Sequence, residues 1–189
     1  MDAVSVIGGI NFIIWPKHLF VPVTGFPLAF LYGCVVVNSG YLDSLDTDIQ
    51  SVSAMCIQLF IMTLAVDGTQ YFAHRLAHRL WRRSHNTHHV YRHPTSAVAF
   101  HTGVTDAFFQ VLMPISLCTW ILNPHRHVLI IFGSLYSVWL QFIHSSEYSI
   151  EGKRWFWLVT PAFHKVHHVD GTRHFGHVFT IWDHIFSTI

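Results

Sequence analysis

The chain has 189 residues, 51% of them hydrophobic and only 11% charged, against roughly a quarter charged in a soluble domain. That balance, with a mean hydropathy of +0.38, argues for a single-domain membrane protein. A net charge of +1, without a basic run beside stacking aromatics, gives no reason to expect a nucleic-acid partner.

Taken in order, the chain opens without the basic n-region and small-residue cleavage site of a signal peptide, so membrane entry is expected to depend on internal spans. Residues 4–15 are apolar but short of the about 20 that a crossing takes. Residues 19–37 are the first spanning candidate, kinked by Pro22 and Pro27. The polar stretch 38–50 carries Asp43, Asp46 and Asp48 and no Lys or Arg. A second span is expected over about 52–73, interrupted near its end by Asp67. An ionisable residue there is a functional candidate. Asp67 precedes His74 by seven residues and shares its helical face. It either accepts an imidazole N–H from behind or is an interfacial carboxylate.

Residues 75–93 hold Arg75, Arg79, Arg82, Arg83 and Arg92 and no acids, which places them on the cytoplasmic side by the positive-inside rule. The apolar runs 107–122 and 128–143, joined by Asn123-Pro124-His125-Arg126-His127, predict a helical hairpin. A hairpin returns the chain to its starting side, so His144 and the tail 151–189 can meet the earlier histidines. Cys34, Cys56 and Cys118 lie in apolar stretches without a CxxC and are expected to be small buried hydrophobes.

Histidine is the anomaly: 17 copies outnumber the 11 lysines and arginines together. His74 and His78 form an HxxxH, His85, His88 and His89 an HxxHH, and His164, His167 and His168 a second HxxHH. Positions i, i+3 and i+4 share a helix face, so each group can aim its imidazoles at one point. Neutral imidazole is a ligand for iron, zinc, copper and nickel. Eight or more imidazoles without a thiolate exceed the four ligands of a structural zinc and suit two metals with positions left open. His18, His125, His127 and His184 are read as surface or satisfied core residues.

The order HxxxH, HxxHH, hairpin, lone His, HxxHH and a closing WD resembles the fatty acid hydroxylase/sterol desaturase superfamily of membrane-bound non-haem di-iron oxygenases. The likeness runs from about Asp67 to Ile189 and is carried by DGTQYFAHRLAH, SHNTHH, HPTSAVAFH, QFIHSSEY, TPAFHKVHH and HFGHVFTIWDHIFST. It implies an all-α integral membrane protein with about four membrane helices and a cytoplasmic, histidine-lined di-iron cap. It also implies one domain over 1–189, with a motif-bearing core at 67–189 and N-terminal membrane segments at 4–66. By this resemblance two irons are held by His74, His78, His85, His88, His89, His144, His164, His167 and His168. His101 is a further ligand or a group behind the ligands, and Glu147 and Tyr148 orient His144 or line the pocket.

O₂ is the implied co-substrate, with electrons from cytochrome b5 or a similar carrier fed by NAD(P)H, since the chain has no haem domain or GxGxxG loop of its own. The implied substrate is a membrane lipid, hydroxylated or desaturated, in the endoplasmic reticulum membrane if the host is eukaryotic. HPTSAVAFH and IHSSEY resemble sterol C5-desaturases and favour a sterol; DGTQYFAHR resembles sphingoid-base C4-hydroxylases and leaves a sphingoid-base or fatty-acyl substrate as the alternative. His174 stands where relatives often have Asn, Ser187 where many have Gly, and the chain is shorter than the family leads one to expect, above all at its N-terminus. A rival of another class is a histidine-lined divalent-metal transporter. That would need ligands at the bilayer midplane in broken helices, whereas these follow the spans in arginine-rich segments.

Overall fold

The computed structural model describes residues 40, 41, 45, 51–148 and 157–189, which are all-helical apart from one isolated antiparallel bridge between Leu158 and Phe179. The expected span over 19–37, the apolar segment 4–15, His18, Cys34 and most of the aspartate-containing stretch lie outside the described residues.

Helix α1 (Val52–Leu80) starts at Ser51, whose hydroxyl accepts the Ala54 N–H at 3.3 Å. Its 29 residues, free of proline, reach about 43 Å at 1.5 Å per residue, against about 30 Å of bilayer hydrocarbon. The helix is therefore longer than a single crossing needs, and His74 and His78 stand in its C-terminal turns. Only 22% of its most apolar window is buried inside the protein. Ile57, Phe60 and Ile61 point outward, as does Cys56. The expectation of buried cysteines holds for Cys118 and fails for Cys56, which lies on the exposed apolar face of α1.

At Trp81 the backbone leaves helical geometry, and the short α2 (Arg82–His89) sets off in a new direction. A 3₁₀ turn at Ser96–Val98 leads to α3 (Val104–Leu122), which winds as a π-helix over Phe108–Leu112. Asn123 ends it in the left-handed conformation (φ 41°), and α4 (Arg126–Ile143) follows, capped by the His125 ring, which accepts the His127 N–H at 3.2 Å. This is the predicted hairpin. Helices α1, α3 and α4 are each long and apolar enough to cross a membrane.

Hydroxyls on these helices are satisfied locally: Thr63, Thr69, Thr119, Ser134 and Ser137 each donate to the carbonyl four residues back at 2.7–2.9 Å. The three helices meet over Met62, Val66, Cys118, Phe132, Tyr136, Leu140 and Ile143, joined by Val159 and Val178 from the C-terminal segment. That segment adds α5 (Pro161–Asp170), capped by Thr160 and stopped by Gly171 at φ 69°, and α6 (Ile181–Ile185).

Candidate metal centre

The end of α1, the whole of α2, the end of α4 and α5 converge at one end of the helix bundle. There they assemble nine histidines into two groups. His74, His78, His85, His89 and His167 form one, and His88, His144, His164 and His168 the other. Within each group the ligand-type nitrogens lie within 4.8 Å of one another.

The two HxxHH motifs divide reciprocally. His85 and His89, four apart, serve the first group while His88 serves the second; His164 and His168, four apart, serve the second while His167 serves the first. One helical turn separates i from i+4 on one side, and i+3 sits to the other side of that line. The spacing therefore lets one short helix face two centres at once.

The proton positions follow from the outer nitrogens. Nδ1 of His74 donates to the Phe175 carbonyl at 3.0 Å, that of His88 to His101 at 3.2 Å, that of His144 to Leu140 at 2.6 Å and that of His167 to Arg173 at 2.7 Å. His85 Nδ1 lies 2.9 Å from an Asp106 carboxylate oxygen. A neutral imidazole carries one proton, so each of the four rings that donate to a carbonyl has a bare Nε2. Those atoms nevertheless face other Nε2 atoms: His144 meets both His88 and His164 at 3.0 Å, and His78 meets His85 at 2.9 Å and His167 at 3.2 Å. Between His88 and His144 neither nitrogen has a proton to share.

Lone pairs brought together in this way call for a cation between them. A metal–imidazole bond of about 2.1 Å puts ligands at right angles roughly 3.0 Å apart and tetrahedral ligands about 3.4 Å apart. The observed 2.9–3.2 Å is the separation expected of imidazoles that share a metal ion. The residues fit two such ions.

Burial keeps the rings in the ligand form. Desolvation, reinforced by neighbouring imidazoles, holds His88, His164, His167 and His168 well below the ordinary histidine range. Burial likewise depresses His144 to about 3, and His89, next to His85 and His88, to about 2.

The other expected residues fall elsewhere. Asp67 reaches no imidazole. Its carboxylate accepts the backbone N–H groups of His177 (3.3 Å), Val178 (2.8 Å) and Phe179 (3.0 Å) and the Trp182 indole N–H (3.0 Å). The seven-residue spacing to His74 was read correctly as one face, but the loop 175–179 inserts between them and supplies His74 with the Phe175 carbonyl instead. His101 stands behind His88 through its backbone carbonyl and its ring joins neither group. Glu147 and Tyr148 are exposed, and His144 is oriented by the Leu140 carbonyl and not by Glu147.

Two residues escaped the sequence reading. Asp106 is buried behind His85 at the start of α3, where an acid opening an apolar run was the available signal. His177 is buried with its ring centre 4.7 Å from that of His74 and 5.7 Å from that of His164. It lies outside any HxxHH, and the HxxH that it forms with His174 was the available signal.

Comparisons with known proteins agree with this site. The chain is 33% identical over 142 residues to an alternative squalene epoxidase from Phaeodactylum tricornutum, covering 69% of this chain and 40% of that protein. It is 32% identical over 119 residues to human lathosterol oxidase (61% and 39%) and 30% identical over 134 residues to human alkylglycerol monooxygenase (66% and 29%). The chain thus matches two-fifths or less of the length of these relatives. No solved structure matches it. The model of the fatty acid hydroxylase family matches residues 59–188, a stretch that takes in all nine clustered histidines, and the chain belongs to that family.

Proposed function

We propose that this chain is an O₂-dependent oxidoreductase that hydroxylates or desaturates a membrane lipid, with a sterol or sterol precursor as the leading substrate class. The observation that carries the reading is the double imidazole cluster at the end of three membrane-length helices. Lathosterol oxidase and squalene epoxidase among the relatives favour a sterol-type substrate. Alkylglycerol monooxygenase and the DGTQYFAHR motif support an acyl or sphingoid-base lipid as the second reading.

The proposed ligands are the nine clustered histidines, five on one iron and four on the other. Bound there, two irons supply reductive activation of O₂, the chemistry that an unactivated C–H bond requires. The chain's own contribution is positional. The backbone carbonyls of Phe175, His101, Leu140 and Arg173 fix ring orientation by accepting Nδ1–H. Burial of His74, His85, His164 and His167 to 1% exposure or less excludes water from the metal-facing atoms. The apolar faces of α1, α3 and α4 bring the cluster to the lipid, where small differences in substrate position decide between hydroxyl and double bond.

The exposed Arg79, Arg82, Arg83 and Arg92 beside the site support a cytoplasmic orientation and an acidic electron carrier; the family resemblance suggests cytochrome b5 supplied by NAD(P)H and, in a eukaryote, the endoplasmic reticulum membrane. A metal transporter fits less well, because the histidines gather at the helix ends and not in broken helices at mid-bilayer.

Lipid profiling of cells expressing the chain tests the reading, with sterols, alkyl lipids and sphingoid bases scored separately. A new oxidised or desaturated sterol that disappears in His164→Ala is the expected result. An unchanged profile in all three classes, in cells supplied with iron and the carrier, would overturn it.

A further inference from the structure

Asp106 is one of the most elaborately held side chains in the protein, and no ligand role uses it. It is 3% exposed, at the membrane-helix end of α3. One carboxylate oxygen lies 2.9 Å from Nδ1 of His85 and also accepts the Thr102 hydroxyl; the other accepts the Gln110 amide. Its own N–H donates to Ser84 Oγ at 3.1 Å, one residue before His85. Gln110 follows Asp106 by four residues, one helical turn, and lies within the π-helical segment Phe108–Leu112. Gly103 lets α3 approach this closely, since a Cβ there would come within 2.2 Å of Ser84 Oγ and 3.0 Å of the Ser84 carbonyl oxygen.

We infer that Asp106 is a positioning residue for the first metal: it holds the His85 proton on Nδ1 and aims a bare Nε2 into the first histidine group. The inference rests on the metal-centre reading above. Of the five rings whose Nδ1 donates outward, His74, His88, His144 and His167 use backbone carbonyls and His85 alone uses a carboxylate. A negative acceptor makes the opposite nitrogen a stronger donor to a cation, so the two metals are inequivalent by construction. Gln110 also stands 2.8 Å from the same Nδ1. As an amide donor it would push the proton to Nε2, which faces His78 at 2.9 Å. A carboxylate at similar distance outcompetes it for that proton.

The test is a cobalt(II) titration of the metal-free full chain in detergent, following the visible ligand-field bands. Alongside the wild type run Asp106→Asn, Asp106→Ala, Gln110→Ala and His85→Ala, each also melted without metal. Wild type should bind two cobalt ions and His85→Ala should lose one of them. Asp106→Asn should weaken that same site about 10- to 100-fold and shift its bands, with the metal-free melting temperature unchanged, a combination that a merely structural residue would not give. Should the alanine variant fail to fold, the near-isosteric Asn variant decides. Wild-type binding in Asp106→Asn while His85→Ala loses a site overturns this inference and leaves the metal centre standing, as does weakening in Gln110→Ala alone. Two undisturbed sites in His85→Ala overturn the metal centre itself.

Discussion

An imidazole ligates a metal only through a nitrogen that carries no proton, so what matters at each ring is where its other nitrogen points. Five outer nitrogens face oxygen, which suits the inner nitrogens to the ligand role proposed for them. The exposed His184 takes no part in either group. His164→Ala is therefore expected to lose about half the bound metal and His184→Ala none, read by elemental analysis of the purified variants; equal losses would contradict the assignment. Two departures from the family pattern also have a physical meaning at this scale. His174 and Ser187 both have positive φ, 60° and 51°, a conformation that Asn and Gly adopt most cheaply. Ser187→Gly should therefore stabilise the chain by about 1 kcal/mol, seen as a raised melting temperature in detergent. A lowered one would show that the hydroxyl matters more than the backbone.

At the scale of elements, two short connections hold the site against the spans. The Asp67 carboxylate gathers three backbone N–H groups of the loop 177–179 and the Trp182 indole, while Trp182 itself covers Gly68 so closely that a Cβ would meet its ring at 2.8 Å. Each buried donor left unsatisfied costs about 1–3 kcal/mol, so Asp67→Ala should unfold the C-terminal loop from α1. Protease sensitivity at 175–180 with α1 intact is the expected signature, and wild-type resistance would refute it. Gly103→Ala should drive α3 from α2, since the Ser84 backbone cannot rotate away; loss of metal from the His85 group before the His144 group is the outcome to look for. The α1 span, the hairpin and the face-sharing of each HxxHH were legible in the sequence, because apolar length and 3.6-residue periodicity are local properties. The partner of Asp67 was not, because it lies 110 residues or more away along the chain. Nor was Asp106, whose role exists only once α2 and α3 touch.

At the scale of the whole molecule, the hairpin is what makes the centre possible. Helices α3 and α4 carry the chain away from the first HxxHH and back, so that His144 and α5 return to the point where α1 ended. The sequence pattern foretold this return, and the family match over residues 59–188 spans it entirely. The reciprocal division of the two HxxHH motifs was not visible in it, since spacing shows that three rings share a helix face but not that the face looks at two centres. The central claim is that division into two metal sites. Its most direct measurement is the iron and zinc content of the full chain purified from iron-supplemented cells, beside His85→Ala. The account predicts about two irons per chain, falling to about one in the variant; a single zinc per chain, unchanged by the substitution, would contradict it.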